Sequence, residues 1–273
     1  MIKERSVNSL NVKPVQAGMN HWTKENNKAY EISPHTPYFN MFICARKRSG
    51  KSSLINLITQ KAINKRTNIW VFCATYQIDP TWKAIIDSLE KKGNVVNCFD
   101  SIFDGKVNIL DEIIDTINQP DEEEEEDNQP KVKPAILTEQ KMEEIKESKS
   151  RSKKKACEHL FIMDDLPAQM LRNSSIARLL KIHRHSKSSC IISSQFILDI
   201  MPSALQQLDI VIFFRGMQDE KLERLHRLLD LSIDFDKFYE IYKHCTEEPY
   251  SFMYLSVRDE VFRRKLTHEI EMN

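Results

Sequence analysis

The sequence has six cysteines, Cys44, Cys73, Cys98, Cys157, Cys190 and Cys245, but no C-x-x-C pair. Zinc ribbons therefore lose support, and Cys44, Cys73 and Cys190, set in apolar runs, read as reduced, buried thiols. No apolar run approaches the length needed to cross a bilayer, and no secretory leader pattern is present. A soluble protein with no membrane span, in a reducing compartment, is expected. No period recurs, which sets repeat architectures aside. Net charge is lacking too: Lys plus Arg and Asp plus Glu both number 40. That balance hides an asymmetry. Asp121 to Asp127 ("DEEEEED") is an unbroken run of seven acids, and without it 33 acidic side chains face 40 basic ones. The body of the chain is mildly basic and carries an acidic tag.

What is present is enough for one large domain with appendages, since 273 residues can bury a full core. Residues 1–37 are polar, contain Pro14, Pro34 and Pro37, and show no sustained period, so they read as a loose arm preceding a domain over 38–273. Composition breaks again between Asn118 and Lys155, where the acidic run, Pro120, Pro130, Pro134 and the basic stretch "SKSRSKKK" crowd together. This reads as a solvated, disordered insertion, with room for a short helix at Thr138 to Glu147.

Elsewhere apolar runs alternate with helical stretches. "FNMFICA", "NIWVFCA", "NVVNCF", "HLFIMDD", "SCIISSQ", "DIVIFFRG" and "YSFMYLSV" read as strands, the last of them closing the sheet. Helices are expected over Lys51 to Ile63, with Leu54, Leu57 and Ile58 on the inner face, and over Thr81 to Lys91, with Trp82, Ile85, Ile86 and Leu89 inside. Others are expected over Val107 to Ile117, Ser174 to His183, from Ile197, over Asp219 to Leu229 and over Phe235 to Lys243. Strands that are apolar throughout and separated by helices imply an α/β fold, a mostly parallel sheet covered by helices on both faces. Right-handed crossovers then place the strand C-termini, and any ligand, along one rim.

The stretch "CARKRSGKSSLINLI" decides where to look on that rim. The phosphate-binding pattern G-x-x-x-x-G-K-[ST] falls on Ala45, Arg46, Lys47, Arg48, Ser49, Gly50, Lys51 and Ser52, between an apolar strand and an amphipathic helix. A helix N-terminus offers free N–H groups and partial positive charge to a phosphate. In this reading Ala45 to Ser53 bind the nucleotide, Gly50 lets the backbone approach, Lys51 reaches the outer phosphates and the Ser52 hydroxyl ligates magnesium. Alanine in place of the first glycine is acceptable only if its φ is negative. Asp164 and Asp165 end "LFIMDD": Asp164 would hold Mg²⁺ through water beside Ser52, and Asp165 would polarise the attacking water. Gln195, at the tip of the following strand, suits a sensor of the terminal phosphate. That arrangement belongs to ATPases with an extra strand between the loop strand and the acidic strand. Arg184 and Arg215 lie at junctions beside strands, so either is a candidate arginine finger, for its own nucleotide or a neighbour's. His183 and His185 do not make a metal site by themselves.

The ordered set "SGKSS", "NIWVFCATYQIDPTWKAII", "LFIMDDL", "RHSKSSCIISSQF" and "LDIVIFFRG" resembles the DNA-packaging ATPases of large nucleocytoplasmic DNA viruses and of their virophage and Maverick-type relatives, which are similar to the FtsK/HerA class of DNA-pumping motors. The resemblance covers about Pro37 to Gly216. It implies a RecA-like P-loop NTPase fold of the ASCE type and Mg²⁺-dependent ATP hydrolysis. It also implies a homo-oligomeric ring that drives double-stranded DNA into a capsid, with capsid or portal vertex proteins as partners. By the same match, Lys51 and Ser52 carry the phosphate and magnesium roles, Asp164 and Asp165 the acidic pair, Gln195 the sensor and Arg184 a finger. The location implied is the host cytoplasm at the virus factory, or the nucleus, with association with the virion. Two other readings of the residues remain open at this point: a P-loop phosphotransferase acting on a small acceptor, and a nucleotide-gated scaffold with little hydrolysis.

Overall fold

The computed structural model describes residues 28–34, 36–118, 158–196 and 199–271. The charged insertion, its expected short helix and residues 197–198 lie outside them. In chain order the described elements begin with β1 (Asn40–Cys44), α1 (Lys51–Ala62), β2 (Thr67–Cys73), α2 (Pro80–Lys91), β3 (Val95–Phe99), the short pair β4 (Phe103–Asp104) and β5 (Val107–Asn108), and α3 (Ile109–Asn118). There follow β6 (Glu158–Asp164), α4 (Ala168–Leu171), α5 (Ser174–Ile182), β7 (Ser188–Ser194), α6 (Pro202–Leu205), β8 (Ile210–Phe214), α7 (Asp219–Leu228) and α8 (Phe235–Cys245). The chain finishes with β9 (Phe252–Ser256), β10 (Val261–Arg264) and β11 (His268–Glu269).

Nine strands form one sheet in the order β11-β10-β9-β8-β1-β7-β6-β2-β3. From β3 to β8 every pairing is parallel; β9, β10 and β11 add on antiparallel. β7 lies between the loop strand β1 and the acidic strand β6. The fold is therefore α/β, mostly parallel, with the inserted strand expected of the ASCE type. Two details differ from the sequence reading. "YSFMYLSV" is not the last strand, because two short polar strands pair beyond it, and Val107 opens a two-residue strand rather than the helix that starts at Ile109.

The apolar runs explain the layers. Alternation along β1 sends Met41 and Ile43 to one face and Phe42 and Cys44 to the other. On the first face α1 and α2 pack Leu54, Ile55, Ile58, Trp82, Ile85 and Leu89 against the sheet; on the second, α3 and α5 to α8 cover Phe42, Phe72, Phe161 and Phe213. Burying one such side chain is worth about 1.5–3 kcal/mol. An exposed ion pair contributes ~1 kcal/mol at best, so packing sets the positions of these elements. Leu57, expected on the inner face of α1, is 48% exposed: the sheet meets the stripe made by Leu54, Ile55 and Ile58. Of the stretch expected as an arm, Lys28–Glu31 forms a 3-10 turn with Ala29 and Ile32 buried, and the Tyr254 hydroxyl donates to the Ile32 carbonyl at 2.7 Å.

Candidate functional site

The loop between β1 and α1 starts inside the core. Ala45 is buried, and its amide donates to the Ser194 carbonyl at 3.0 Å, tying the loop to the end of β7. Ala45 is not among the positive-φ residues, so its β-carbon meets no backbone penalty and the departure from glycine is harmless to the turn. The strain falls three residues later. Arg48 has φ of 62°, a left-handed conformation that costs a side-chain-bearing residue about 1–2 kcal/mol. Gly50 follows at φ of 92° and caps α1 with no side-chain hydrogen bond. α1 carries no acidic residue in its first turn. Lys47 and Arg48 form the middle of a turn, and among the described residues no acceptor is found for the backbone amides from Gly50 to Ser53. The Ser49 hydroxyl is buried without a partner. Unpaired amides and a hydroxyl gathered at a helix N-terminus fit a polyphosphate.

The acid pair meets this loop across β7. Lys51 Nζ lies 2.7 Å from Asp164 Oδ1 and 2.6 Å from Asp165 Oδ1. Burial works against the ammonium's charge, but the two carboxylates outweigh it and raise its pKa, so Lys51 stays protonated. Asp164 is 1% exposed and is held by more than the lysine. The Ser193 hydroxyl donates to Oδ1, and the Trp82 indole N–H donates to Oδ2 at 2.9 Å. Asp164 pairs in register with Ser193, which explains the first contact, while the second comes from α2. Asp165 stands just past the strand end at φ of 52°, a conformation aspartate tolerates better than most residues, and its carboxylate is exposed. One ammonium facing two carboxylates leaves a local negative excess, which with the Ser52 hydroxyl on the neighbouring turn fits a magnesium ion. Among the described residues no cluster of three or more His, Cys, Asp or Glu forms a metal site, so such an ion would need phosphate and water to complete its shell.

Gln195 follows β7 on the same rim, and the Cys44 thiol contacts its carbonyl at 3.5 Å. Arg215, directly after β8, is exposed and has no carboxylate partner among the described residues. Ala45, Arg46, Lys47, Gln195, Phe196 and Arg215 line a cleft of about 770 Å³. Gly216, at φ of 92°, forms its floor near Arg46, whose guanidinium would lie 3.3 Å from any β-carbon there. Arg46, Lys47 and Arg48 are all exposed, and the half-buried Lys221 holds its ammonium 4.0 Å over the Phe196 ring.

Arg184 is elsewhere. It precedes β7, so it stands on the rim where the parallel strands begin, and its guanidinium is 2.6 Å from Asp209 Oδ1. Asp209 Oδ2 in turn accepts from the Asn40 amide at 2.8 Å, the first residue of β1. β1 spans five residues, roughly 16 Å, between this network and the loop. The expectation that Arg184 could act on its own nucleotide is corrected by this placement. His183 joins the same network, with Nε2 3.5 Å from Asp209, in line with a structural role. The residues that sequence reasoning missed are Trp82, taken only as core, and Ser193. Aligning the ends of two parallel strands would have put Ser193 beside Asp164, whereas nothing in the sequence announces the Trp82 contact.

No protein-family model matches this chain, and a search of curated proteins finds no relative. Solved structures do match. The genome packaging NTPase B204 from Sulfolobus turreted icosahedral virus 2, in complex with AMPPCP, superposes with a TM-score of 0.50 at 17% identity, over 84% of this chain and 97% of B204. The DNA-packaging ATPase B204 from Sulfolobus turreted icosahedral virus gives 0.50 at 18%, over 82% of this chain and 95% of its own. The fold is that of these packaging NTPases. What they share with this chain is the fold: a mostly parallel sheet, with β7 inserted between the loop strand and the acidic strand, covered by helices on both faces.

Proposed function

We propose that the protein is a magnesium-dependent ATPase whose hydrolysis drives double-stranded DNA into a viral capsid. The observation that carries the ATPase reading is Lys51 Nζ, at the start of α1, within 2.7 Å of both Asp164 and Asp165 across the intervening strand. A loop of free amides, an ammonium and a carboxylate pair is the equipment for phosphoryl transfer, where catalysis is mostly positioning and charge stabilisation. The free amides from Gly50 onward would cradle the inner phosphates, and Lys51 would turn from the carboxylates to the outer ones. The Ser52 hydroxyl and, through water, Asp164 would hold magnesium, which when bound neutralises charge building on the phosphates. Asp164 keeps its Ser193 and Trp82 bonds throughout, which fixes its carboxylate plane. Asp165, exposed and held at the strand end, would orient and polarise the attacking water. Gln195 would register the terminal phosphate, and Arg215 would stabilise the transition state from the same rim. Arg184 enters this reading only as a residue offered to a neighbouring subunit of a ring.

The packaging role is supported by the fold shared with B204 and by the exposed cations of the site rim, Arg46, Lys47, Arg48 and Arg215, which suit a phosphate backbone. Capsid or portal vertex proteins are the further partners, and the host virus factory, nucleus or virion is the location, that this role requires. No described helix is long and apolar enough to cross a membrane. The test is ATP turnover with and without duplex DNA. The motor requires stimulation by DNA that disappears in Lys51→Ala. Turnover indifferent to DNA but coupled to a small acceptor would identify a phosphotransferase, and tight ATP binding with negligible turnover a scaffold.

A further inference from the structure

The acid pair fixes which way a nucleotide must lie. Asp164 ends β6 and Asp165 follows it, on one side of β1, and they hold Lys51, so the terminal phosphate belongs on that side. The other end of a linear nucleotide then points the opposite way along the rim, toward β8 and β9. β9 runs antiparallel to β8, with Phe252 opposite Phe214. It is therefore the beginning of β9, not its end, that reaches the site rim, and the segment joining α8 to β9 overhangs the loop.

Tyr250 stands at the tip of that segment. Its ring is beside Gly50, where a β-carbon would lie 3.5 Å from Tyr250 Cδ1. The residue is 70% exposed and has φ of 59°, a strained conformation for an aromatic residue. The strain is imposed by its neighbours. Ser251 is fully buried at the start of the strand, and its amide donates to the Glu248 carbonyl at 3.2 Å, closing a tight turn around the ring. An exposed tyrosine in left-handed backbone beside the phosphate loop loses backbone energy for little burial, and its ring is placed to meet a ligand seated on that loop. Earlier in the segment, Thr246 and Glu247 line a cleft of about 480 Å³ against Gly216, Met217, Tyr239 and Tyr242, within the range of small-ligand sites. The Tyr242 hydroxyl accepts from the Met217 amide at 3.0 Å and donates to the Phe214 carbonyl at 3.1 Å, which pins that wall to β8.

We propose that the segment from Thr246 to Ser251 is the nucleoside subsite and that Tyr250 is the platform on which the base stacks. The proposal rests on the polyphosphate reading of the loop. Stacking on a tyrosine face is tolerant of base identity, so this subsite recognises a nucleoside as a class and discriminates weakly among nucleobases. It follows that the nucleotide is gripped from two sides of β1, with the outer phosphates toward β6 and the base toward β9.

Calorimetric titration of wild type, Tyr250→Ala and Tyr250→Phe with ATP, GTP and inorganic tripolyphosphate tests this. Tyr250→Ala is expected to weaken ATP and GTP about tenfold and leave tripolyphosphate unchanged, while Tyr250→Phe binds all three as wild type does. Wild-type ATP affinity in Tyr250→Ala overturns the assignment. So does an equal loss of tripolyphosphate, which would mean the ring only shapes the loop. Wild type binding tripolyphosphate as tightly as ATP removes the subsite and spares the phosphate reading. Wild type binding neither removes both.

Discussion

The two rims of the sheet handle polar groups in opposite ways. Where the parallel strands begin, side chains are tied to one another. Asn40 donates to the Leu180 and Gln207 carbonyls, Asp209 accepts from Asn40 and Arg184, and Glu158 accepts from Asn64 at 2.6 Å. Burial alone would push the Asp209 carboxyl up, but His183, the Asn40 amide and Arg184 together hold it below its ordinary value. Where the strands end, the amides that open α1 and the cations Arg46, Lys47, Arg48 and Arg215 have no partner among the described residues, and Arg48, Asp165 and Tyr250 occupy left-handed backbone. One rim ties most of its charged and amide side chains to one another and holds the fold; the other leaves loop cations and helix-opening amides open beside an acid pair, as sites built for a ligand do. The difference teaches that substitutions on the first should register as stability and those on the second as chemistry.

The sharpest separation should come from Lys51→Ala, which is expected to lower ATP turnover by about 10²–10³-fold in a phosphate-release assay. Asp165→Asn should bind ATP as wild type does and lose turnover; undiminished turnover would strip Asp165 of its assigned role. On the opposite rim, Asp209→Ala leaves the Asn40 amide and the Arg184 guanidinium without their acceptor. A loss of about 3 kcal/mol in urea unfolding is expected, with ATP affinity unchanged. A variant that folds normally yet binds ATP poorly would break the comparison.

Glu158 and His159 give a pH test of the same rim. Burial pushes the Glu158 carboxyl up to about 7, against an ordinary value of 4.5, so its contribution is lost as pH rises from about 4.5 to about 7. Burial pushes His159 down to about 4 from 6.5, so its contribution is lost as pH falls through that interval. In wild type the two slopes oppose each other between about 4.5 and 6.5. Glu158→Gln removes one of them. The variant's stability should climb steadily with pH across that window and exceed wild type at pH 8 by about 2 kcal/mol, measured by urea unfolding across a pH series. A flat profile would show that His159 binds its proton equally well in the folded and unfolded chain, against the downward push of burial. The smallest effect belongs to the site rim. Arg48→Gly relieves the left-handed strain and should gain under about 1 kcal/mol of stability by thermal melting, since the freed unfolded chain offsets part of it.

Much of this architecture could be read from the residues because β1, β2, β6 and β8 each carry four or five consecutive apolar residues and β7 carries Cys190 to Ile192 between serines. Their order around an inserted strand follows from the placing of "SGKSS" and "LFIMDD". The ends of the sheet were harder. β10 and β11 are short and polar, and they exist because β9 offers an edge to pair with, which no local pattern encodes. Leu57 was misplaced because a helical stripe can be drawn through either neighbour until the sheet chooses one. Arg184 was legible in principle: a residue just before a parallel strand must sit on the rim away from the strand ends. The support of Asp164 was not, since Trp82 lies 82 positions away in the chain and meets it only through α2 packing over β6.

That indole contact makes the protein its own optical probe. Trp82 is 1% exposed and directly bonded to a carboxylate of the acid pair, whereas Trp70 stacks among Phe99, Phe161 and His159 on the opposite face. The emission of Trp82, unlike that of the equally buried Trp70, is thereby coupled to the charge state beside Lys51. Occupancy of the loop can be followed with no label attached.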